Sequence, residues 1–148
     1  MTVTLEAIKA EQIRITEMIA ALESQSTRTI HFPASCVGLA YGEIYVGSIT
    51  EPSGKVRHTI LLPGDQESVT WDDAWKWAQA LGGDLPDRVE QALLYALHRD
   101  EFKEAAYWSN TQHSGTSNYA WCQDFGYGNQ ADDYEDVKLR ARAVRRSY

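Results

Sequence analysis

The sequence predicts an α+β protein: one N-terminal heptad helix, then a domain with two helices and several short strands. Three observations carry this. Apolar residues recur at heptad spacing near the N-terminus. Two capped amphipathic segments occupy the middle. The tail is rich in Tyr, Asn, Ser, Asp and Gly, and its few apolar runs are short.

Taken in order, Leu5, Ile8, Gln12, Ile15, Ile19 and Leu22 are spaced alternately by three and four residues. That is an a/d seam over about three heptads, and it predicts a helix from Thr4 to Ser24. Gln12 is the one polar seam residue and can set register or strand number; Ile13 and Met18 lie outside the seam and widen it. The stripe suits self-association into a dimer or trimer, or packing on the protein's own domain. A polar linker from Ser24 to Arg28 places the boundary between residues 1–28 and a domain over 29–148.

Between Leu39 and Ile49, Ile44, Val46 and Ser48 alternate with Glu43, Tyr45 and Gly47, which reads as a strand. Glu51-Pro52-Ser53-Gly54 is a turn, and Val56–Leu62 resumes as a strand up to Pro63-Gly64-Asp65, making a hairpin. Trp71–Leu81 reads as a helix capped by Thr70 or Asp72 and stopped by Gly82-Gly83, with Ala74, Trp75, Ala78 and Leu81 on its inner face. A second helix runs from Pro86 or Asp87 to His98, with Val89, Leu93, Leu94 and Leu97 inward. Short strands follow at Ala106–Ser109 and Tyr119–Phe125, and a final one at Leu139–Arg145.

Composition narrows the function. The chain has 148 residues, 43% of them hydrophobic, enough for a packed domain plus an appendage. A formal net charge of −7 argues against a general nucleic-acid binder, which needs a basic face to displace counterions. No run approaches the roughly 20 apolar residues of a membrane span. The start, Met1 to Glu6, lacks the basic-then-apolar pattern of a secretory signal. The expected location is therefore the cytoplasm, or a particle assembled there. Cys36 and Cys122 have no metal-type spacing, and two buried thiols are expected rather than a disulfide.

Several pieces recur in a fixed order: Trp71-Asp72-Asp73-Ala74, Gly82-Gly83-Asp84-Leu85-Pro86, Glu90, Tyr107-Trp108-Ser109, Ala120-Trp121, and Leu139 to Arg146. In this order they resemble the Lcl C-terminal domain family, found in bacterial and phage proteins, over roughly Tyr41 to Tyr148. The resemblance implies a C-type-lectin-like fold, with two helices packed on a small twisted antiparallel sheet and the C-terminal strand paired near the domain's start. It also implies a phage or prophage origin. That fold serves receptor-binding proteins and the formylglycine-generating enzymes alike.

The candidate chemistry is sparse. Asp132, Asp133, Glu135 and Asp136 form a dense acidic cluster, but the lectin calcium triplets are missing, so a solvated loop and no metal are expected. His31, His58, His98 and His113 are scattered, away from zinc-ligand spacing. The tail holds one cysteine, Cys122, where the formylglycine-generating enzymes use a pair, so no catalytic residue and no cofactor is expected. Trp75 is read as core, and Trp108 and Trp121 as core strand positions. Arg140 and Arg142 are expected to pair with acids rather than phosphate.

What remains is the tail surface. Gln112, His113, Ser114, Asn118 and Tyr119 occupy one presumed loop; Tyr127, Asn129, Gln130, Asp132, Asp133 and Tyr134 occupy another. Tyr offers large contact area at low entropy cost, and Asn and Ser offer adaptable hydrogen bonds, the mixture antibody paratopes use. The expectation is a non-catalytic module that binds a protein or glycan through Tyr119, Tyr127, Asn129, Tyr134, Gln112, His113 and Asp133. The competing reading is a small-molecule-binding protein or enzyme with a pocket near Trp108, Trp121 and Arg142.

Overall fold

The computed structural model describes residues 2–25 and 34–148. The chain divides into two compact units, Met1–Pro33 and Ala34–Tyr148. The expected boundary at residue 28, the core of the Ser24–Arg28 linker and His31 lie outside the described residues.

The described residues of the first unit form one helix, α1 (Leu5–Gln25). Thr4 caps it: its Oγ1 accepts from the Ala7 N–H at 3.2 Å. No residue of α1 is buried, and all five apolar seam side chains are at least half exposed.

The second unit is mixed α+β. Strands β1 (Ile44–Thr50) and β2 (Val56–Leu61) form the expected hairpin, paired from Ile44↔Leu61 to Thr50↔Val56 with a bulge between Tyr45 and Gly47. A strand not expected from the sequence, β3 (Gln66–Val69), precedes α2 (Trp71–Ala80). Thr70 caps α2 by accepting from Asp73 N–H, and Gly82, at φ +78°, turns the chain beyond its end. The helix α3 (Arg88–His98) opens on a capping box, in which Asp87 and Glu90 each take the other's backbone N–H. Strands β4 (Ala106–Gln112), β5 (Tyr119–Asp124), β6 (Gln130–Tyr134), β7 (Leu139–Ala141) and β8 (Val144–Ser147) complete the chain.

Two small sheets result, ordered β1-β2-β8 and β3-β7-β4-β5-β6. The C-terminal strand β8 pairs antiparallel with β2, joining the end of the domain to its start. Among the described residues, all strand pairings are antiparallel except β4 with β7. The expected single strand Leu139–Arg145 is in fact two, β7 and β8, in different sheets. Arg142 marks the crossing: its guanidinium donates to Leu62 O at 2.9 Å and Glu101 O at 2.6 Å. Gly83 permits the close approach there, since a Cβ would lie 2.5 Å from Val144 O.

Core residues fall into two clusters. Leu62, Ala74, Ala78, Leu85, Trp108, Ala120, Cys122, Ala141 and Ala143 join α2 to one face of the larger sheet. Val46, Leu61, Leu94, Tyr107, Phe125 and Val144 fill the space where α3 meets both sheets.

Both helix faces differ from expectation. On α2, Ala74 and Ala78 are buried, whereas Trp75, expected in the core, and Leu81 are exposed. Two small residues one turn apart let the helix approach the sheet closely, and Trp75 sits one residue, about 100°, off that line. Trp71 and Trp77 instead flank the core, Trp71 donating its indole N–H to Ser109 O at 2.8 Å. On α3, Glu90, Gln91 and Leu94 are buried, while Val89 and Leu97 face solvent. The buried Glu90 carboxylate accepts from Thr59 Oγ1 at 2.7 Å and from Arg146 at 2.6 Å, so its burial leaves no unpaired charge. Burial works against the Arg146 charge, but Glu90 and Asp84 outweigh it and hold the guanidinium protonated.

Candidate ligand-binding face

The register of β5 against β6 sorts the tail residues by face. Tyr119↔Tyr134, Trp121↔Asp132 and Gln123↔Gln130 are opposed pairs on one face; Ala120↔Asp133 and Cys122↔Ala131 lie on the other. The second face carries Ala120 and Cys122 into the core with Trp108. The first is the side on which α3 lies: Gln91 Nε2 donates to Tyr107 O at 3.0 Å, and Tyr107 is opposite Gln123.

Arg88, the first residue of α3, sits over the Trp121 ring with its guanidinium carbon 3.6 Å from the centroid. Two hydrogen bonds hold it there. Arg88 Nε donates to Gln130 Oε1 at 2.9 Å, and Gln130 Nε2 donates to Arg88 O at 2.7 Å. His113 stacks on Trp121 at 5.2 Å between centroids. Beside this stack Tyr119 and Tyr134 form a tilted ring pair at 4.3 Å, and Tyr134 is 52% exposed. The Tyr134 hydroxyl first, then desolvation and the charges of Asp132 and Asp133, push the Tyr119 phenol above its ordinary pKa.

Local bonds fix the rest of this end. The His113 amide donates to Tyr119 O, and His113 Nδ1 accepts from Gly115 N–H at 3.1 Å. Gln112 Nε2 donates to Glu135 Oε1 at 2.9 Å. Asp133 Oδ1 accepts from the Tyr134 amide, and by the register its side chain leaves on the core side of the hairpin. Asp132, rather than the expected Asp133, therefore shares the face of Tyr134.

Tyr127 and Asn129 are at the other end, in the β5–β6 turn. A five-residue strand separates the ends by about 16 Å at roughly 3.3 Å per residue. Asp124 Oδ1 accepts from the amides of Gly126 and Tyr127, and the Gly128 amide donates to Asp124 O. Gly128 has φ +87°, and a Cβ there would lie 2.6 Å from the Tyr95 ring, so the turn is seated tightly on α3. Tyr127 points away from this support and is 91% exposed.

Between the two ends runs a groove of about 540 Å³, lined by Arg88, Val89, Ala92, Tyr95, Gln123, Gly128 and Gln130. The sequence reading missed it. It also took Gln112, Asp133 and Tyr134 as loop residues, when all three belong to strands, and Tyr119, expected at the edge between loop and strand, opens β5. The charged sequence Asp132-Asp133 hid β6, an edge strand whose side chains are largely solvated.

The other candidates sort themselves by geometry. Trp108 is fully buried, with its indole N–H on Val69 O, on the face opposite Trp121; the two cannot line one cavity. Trp121 itself is half-buried under Arg88 and His113, not in the core as expected. Arg140 pairs with acids as expected, its partners being Asp65 and Glu67. Cys122 is buried, and desolvation first, then nearby acids, push its thiol up to about 11, far from a nucleophile. Cys36, expected buried, is exposed because residues 34–40 form no regular element. His58 bridges Ser35 Oγ at 2.9 Å and Tyr45 OH at 3.0 Å. Among the described residues, no group of three or more His, Cys, Asp or Glu is placed to hold a metal ion, and no helix is long and apolar enough to cross a membrane. No protein-family model and no curated protein sequence matches the chain.

Proposed function

We propose that this chain is a non-catalytic binding module that engages a protein or glycan through the α3 side of the β5–β6 hairpin. The observation that carries the reading is the Tyr119–Tyr134 pair beside the Arg88–Trp121–His113 stack, on strands held by the core beneath. Exposed aromatic rings on a rigid support lose little entropy on binding, and the neighbouring Asp132, Gln112 and Gln130 supply hydrogen-bonding groups. The ordered motifs resembling the Lcl C-terminal domain support a lectin-like fold and a phage accessory, receptor-binding or host-inhibiting role. The heptad face of α1 supports self-association. A small-molecule ligand is the second reading, favoured by the 540 Å³ groove.

The test is binding to a glycan array and to purified surface proteins of candidate host cells, for the native chain, Tyr134→Ala, Arg88→Ala and Tyr127→Ala. Removing a central ring is expected to cost on the order of 2 kcal/mol of affinity, with the unfolding midpoint retained. Undiminished affinity in Tyr134→Ala and Arg88→Ala together would place the site elsewhere. Loss in Arg88→Ala alone, with a small molecule competing, would favour the groove.

A further inference from the structure

We infer that the groove between α3 and the β5–β6 hairpin is the seat of an acidic sugar, a pyranose ring that carries a carboxylate. The inference rests on the reading of this face as a glycan-binding surface and adds the ligand's charge and position. The arginines give the first reason. In the C-terminal unit Arg57, Arg140, Arg142, Arg145 and Arg146 each lie 3.8 Å or less from a carboxylate. Among the described residues of that unit, Arg88 and Arg99 are the two arginines without such a partner. The chain has 21 acidic residues against 14 Lys and Arg, so an arginine left unpaired is the exception. Arg88 is also held in place, with Nε on Gln130 Oε1 at 2.9 Å and the Trp121 ring 3.6 Å beneath its guanidinium carbon. Its two terminal nitrogens donate to none of the described residues. A planar fork already fixed in direction is what binds a carboxylate through two hydrogen bonds at once. Asp132, the acid on the same face of the hairpin, forms no ion pair with it, so the charge stays available.

A second group points to a ligand independently. Gln123 is 1% exposed, lies on the β5 face toward α3 and lines the groove. Its Nε2 donates to Asp124 O at 3.2 Å and to Asn129 O at 3.3 Å. Those bonds orient the amide and leave Oε1 as an acceptor with no partner among the described residues. A buried acceptor is costly to leave bare, so this one calls for a donor from the groove. Val89, Ala92 and the Tyr95 ring supply an apolar wall beside it. The occupant of these 540 Å³ must therefore combine an anion, a hydroxyl donor and an apolar face. An acidic pyranose has all three: the carboxylate takes Arg88, a ring hydroxyl donates to Gln123 Oε1, and the C–H face lies on the wall. A phosphate ion meets only the first requirement. Arg99, the other unpaired arginine, is eleven residues along α3, roughly 16 Å away, too far to share that ion. A peptide's terminal carboxylate would suit Arg88, but its chain needs backbone partners. The helix bonds of α3 and the β5–β6 ladder, where Gln123 opposes Gln130, already engage theirs.

The experiment is titration calorimetry of the full chain with matched pairs of sugars: methyl glucuronide against methyl glucoside, and sialyllactose against lactose. At least one acidic member is expected to bind, and its neutral counterpart to bind about tenfold more weakly or not at all, since a hydrogen-bonded charge is lost. Arg88→Gln removes the cation, and Ala92→Glu sets a carboxylate on the exposed wall of the groove. Both are expected to abolish the preference for the acidic sugar while the unfolding midpoint is retained. Equal affinity within each pair, or an acidic preference that survives Arg88→Gln or Ala92→Glu, overturns the inference. Tighter binding of inorganic phosphate or of triglycine, with its free carboxylate, overturns the ligand class. If no sugar binds, yet Tyr134→Ala weakens capture of a host surface protein or neutral glycan, the groove inference falls and the binding face stands. If an acidic sugar binds through Arg88 and Ala92 while Tyr134→Ala changes nothing, the groove stands without the tyrosine pair.

Discussion

On β5, Ala120 and Cys122 point into the core beside Trp108, while Tyr119 and Trp121, their immediate neighbours, point the other way. The same six-residue strand therefore builds one face that is closed and one that is accessible along its edge. Both faces hold a tryptophan. Trp108 is enclosed on all sides and makes one indole hydrogen bond, to Val69 O. Trp121 is held from outside, by Arg88 and His113, and its neighbours are Tyr119, Tyr134 and Asp132. The lesson is that period-two alternation separates core-facing from outward-facing side chains at single-residue resolution, and aromatic content alone does not.

The widest separation should appear when each tryptophan is removed. Trp108→Ala leaves a large void and removes the indole donor to Val69 O, and is expected to cost about 3–5 kcal/mol in denaturant unfolding. Trp121→Ala removes a half-buried ring and a cation–π contact, and is expected to cost about 1–2 kcal/mol. Equal costs for the two would dissolve the distinction between the faces.

The thiols sharpen the same contrast. With its pKa near 11, Cys122 is thiolate in only about one molecule in a thousand at pH 8, and it is buried. A thiol reagent should therefore modify one cysteine, Cys36, in the native protein and two in denaturant. Rapid native labelling of Cys122 would mean that the core face opens readily.

A charge contact away from both faces sets a control. Glu43 accepts from Arg145 at 2.7 and 2.8 Å and from the Ala40 amide, and Arg145 first, then that amide, hold its pKa at about 2 instead of the usual 4.5. A carboxyl depressed in the folded state adds stability that is complete above its unfolded pKa and is lost as pH falls through the folded one. Between about pH 4.5 and 2 the native chain should therefore lose thermal stability that Glu43→Gln never had. The two melting curves should converge at the acid end. Parallel curves across that window would show that the contact does not contribute.

Legibility from sequence followed the range of the interactions. Thr70 and Asp87 announce their helices because a cap bonds only three residues away. Pro52 to Gly54 announces the first hairpin for the same reason. The inner face of α3 was misread because Glu90 is buried by Thr59 and Arg146, 31 and 56 residues distant. Nothing beside Glu90 signals those partners. The final strand was read as continuous because Arg142, which divides it, is bonded to carbonyls 41 and 80 residues back. At the proposed binding face, the tyrosines are a reading from composition. Gln130 came with the same loop, but Arg88 was not expected there, because its position depends on a bond across 42 residues that aims it at Trp121.

The smallest effect tests whether the exposed end of the hairpin is display rather than structure. The Tyr127 side chain is almost wholly in water, yet its backbone amide is fixed by Asp124. Those two facts separate the ring from its support. Tyr127→Ala keeps the amide, the Asp124 bonds and the Gly128 turn, so its unfolding free energy is expected to change by less than about 0.5 kcal/mol. Asp124→Ala removes the acceptor for two amides and should cost more, about 1–2 kcal/mol, although Asp124 itself is only half-buried. If Tyr127→Ala proves as costly as Asp124→Ala, the ring is packed in solution. Display at the turn would then have to be reassigned to Asn129 alone.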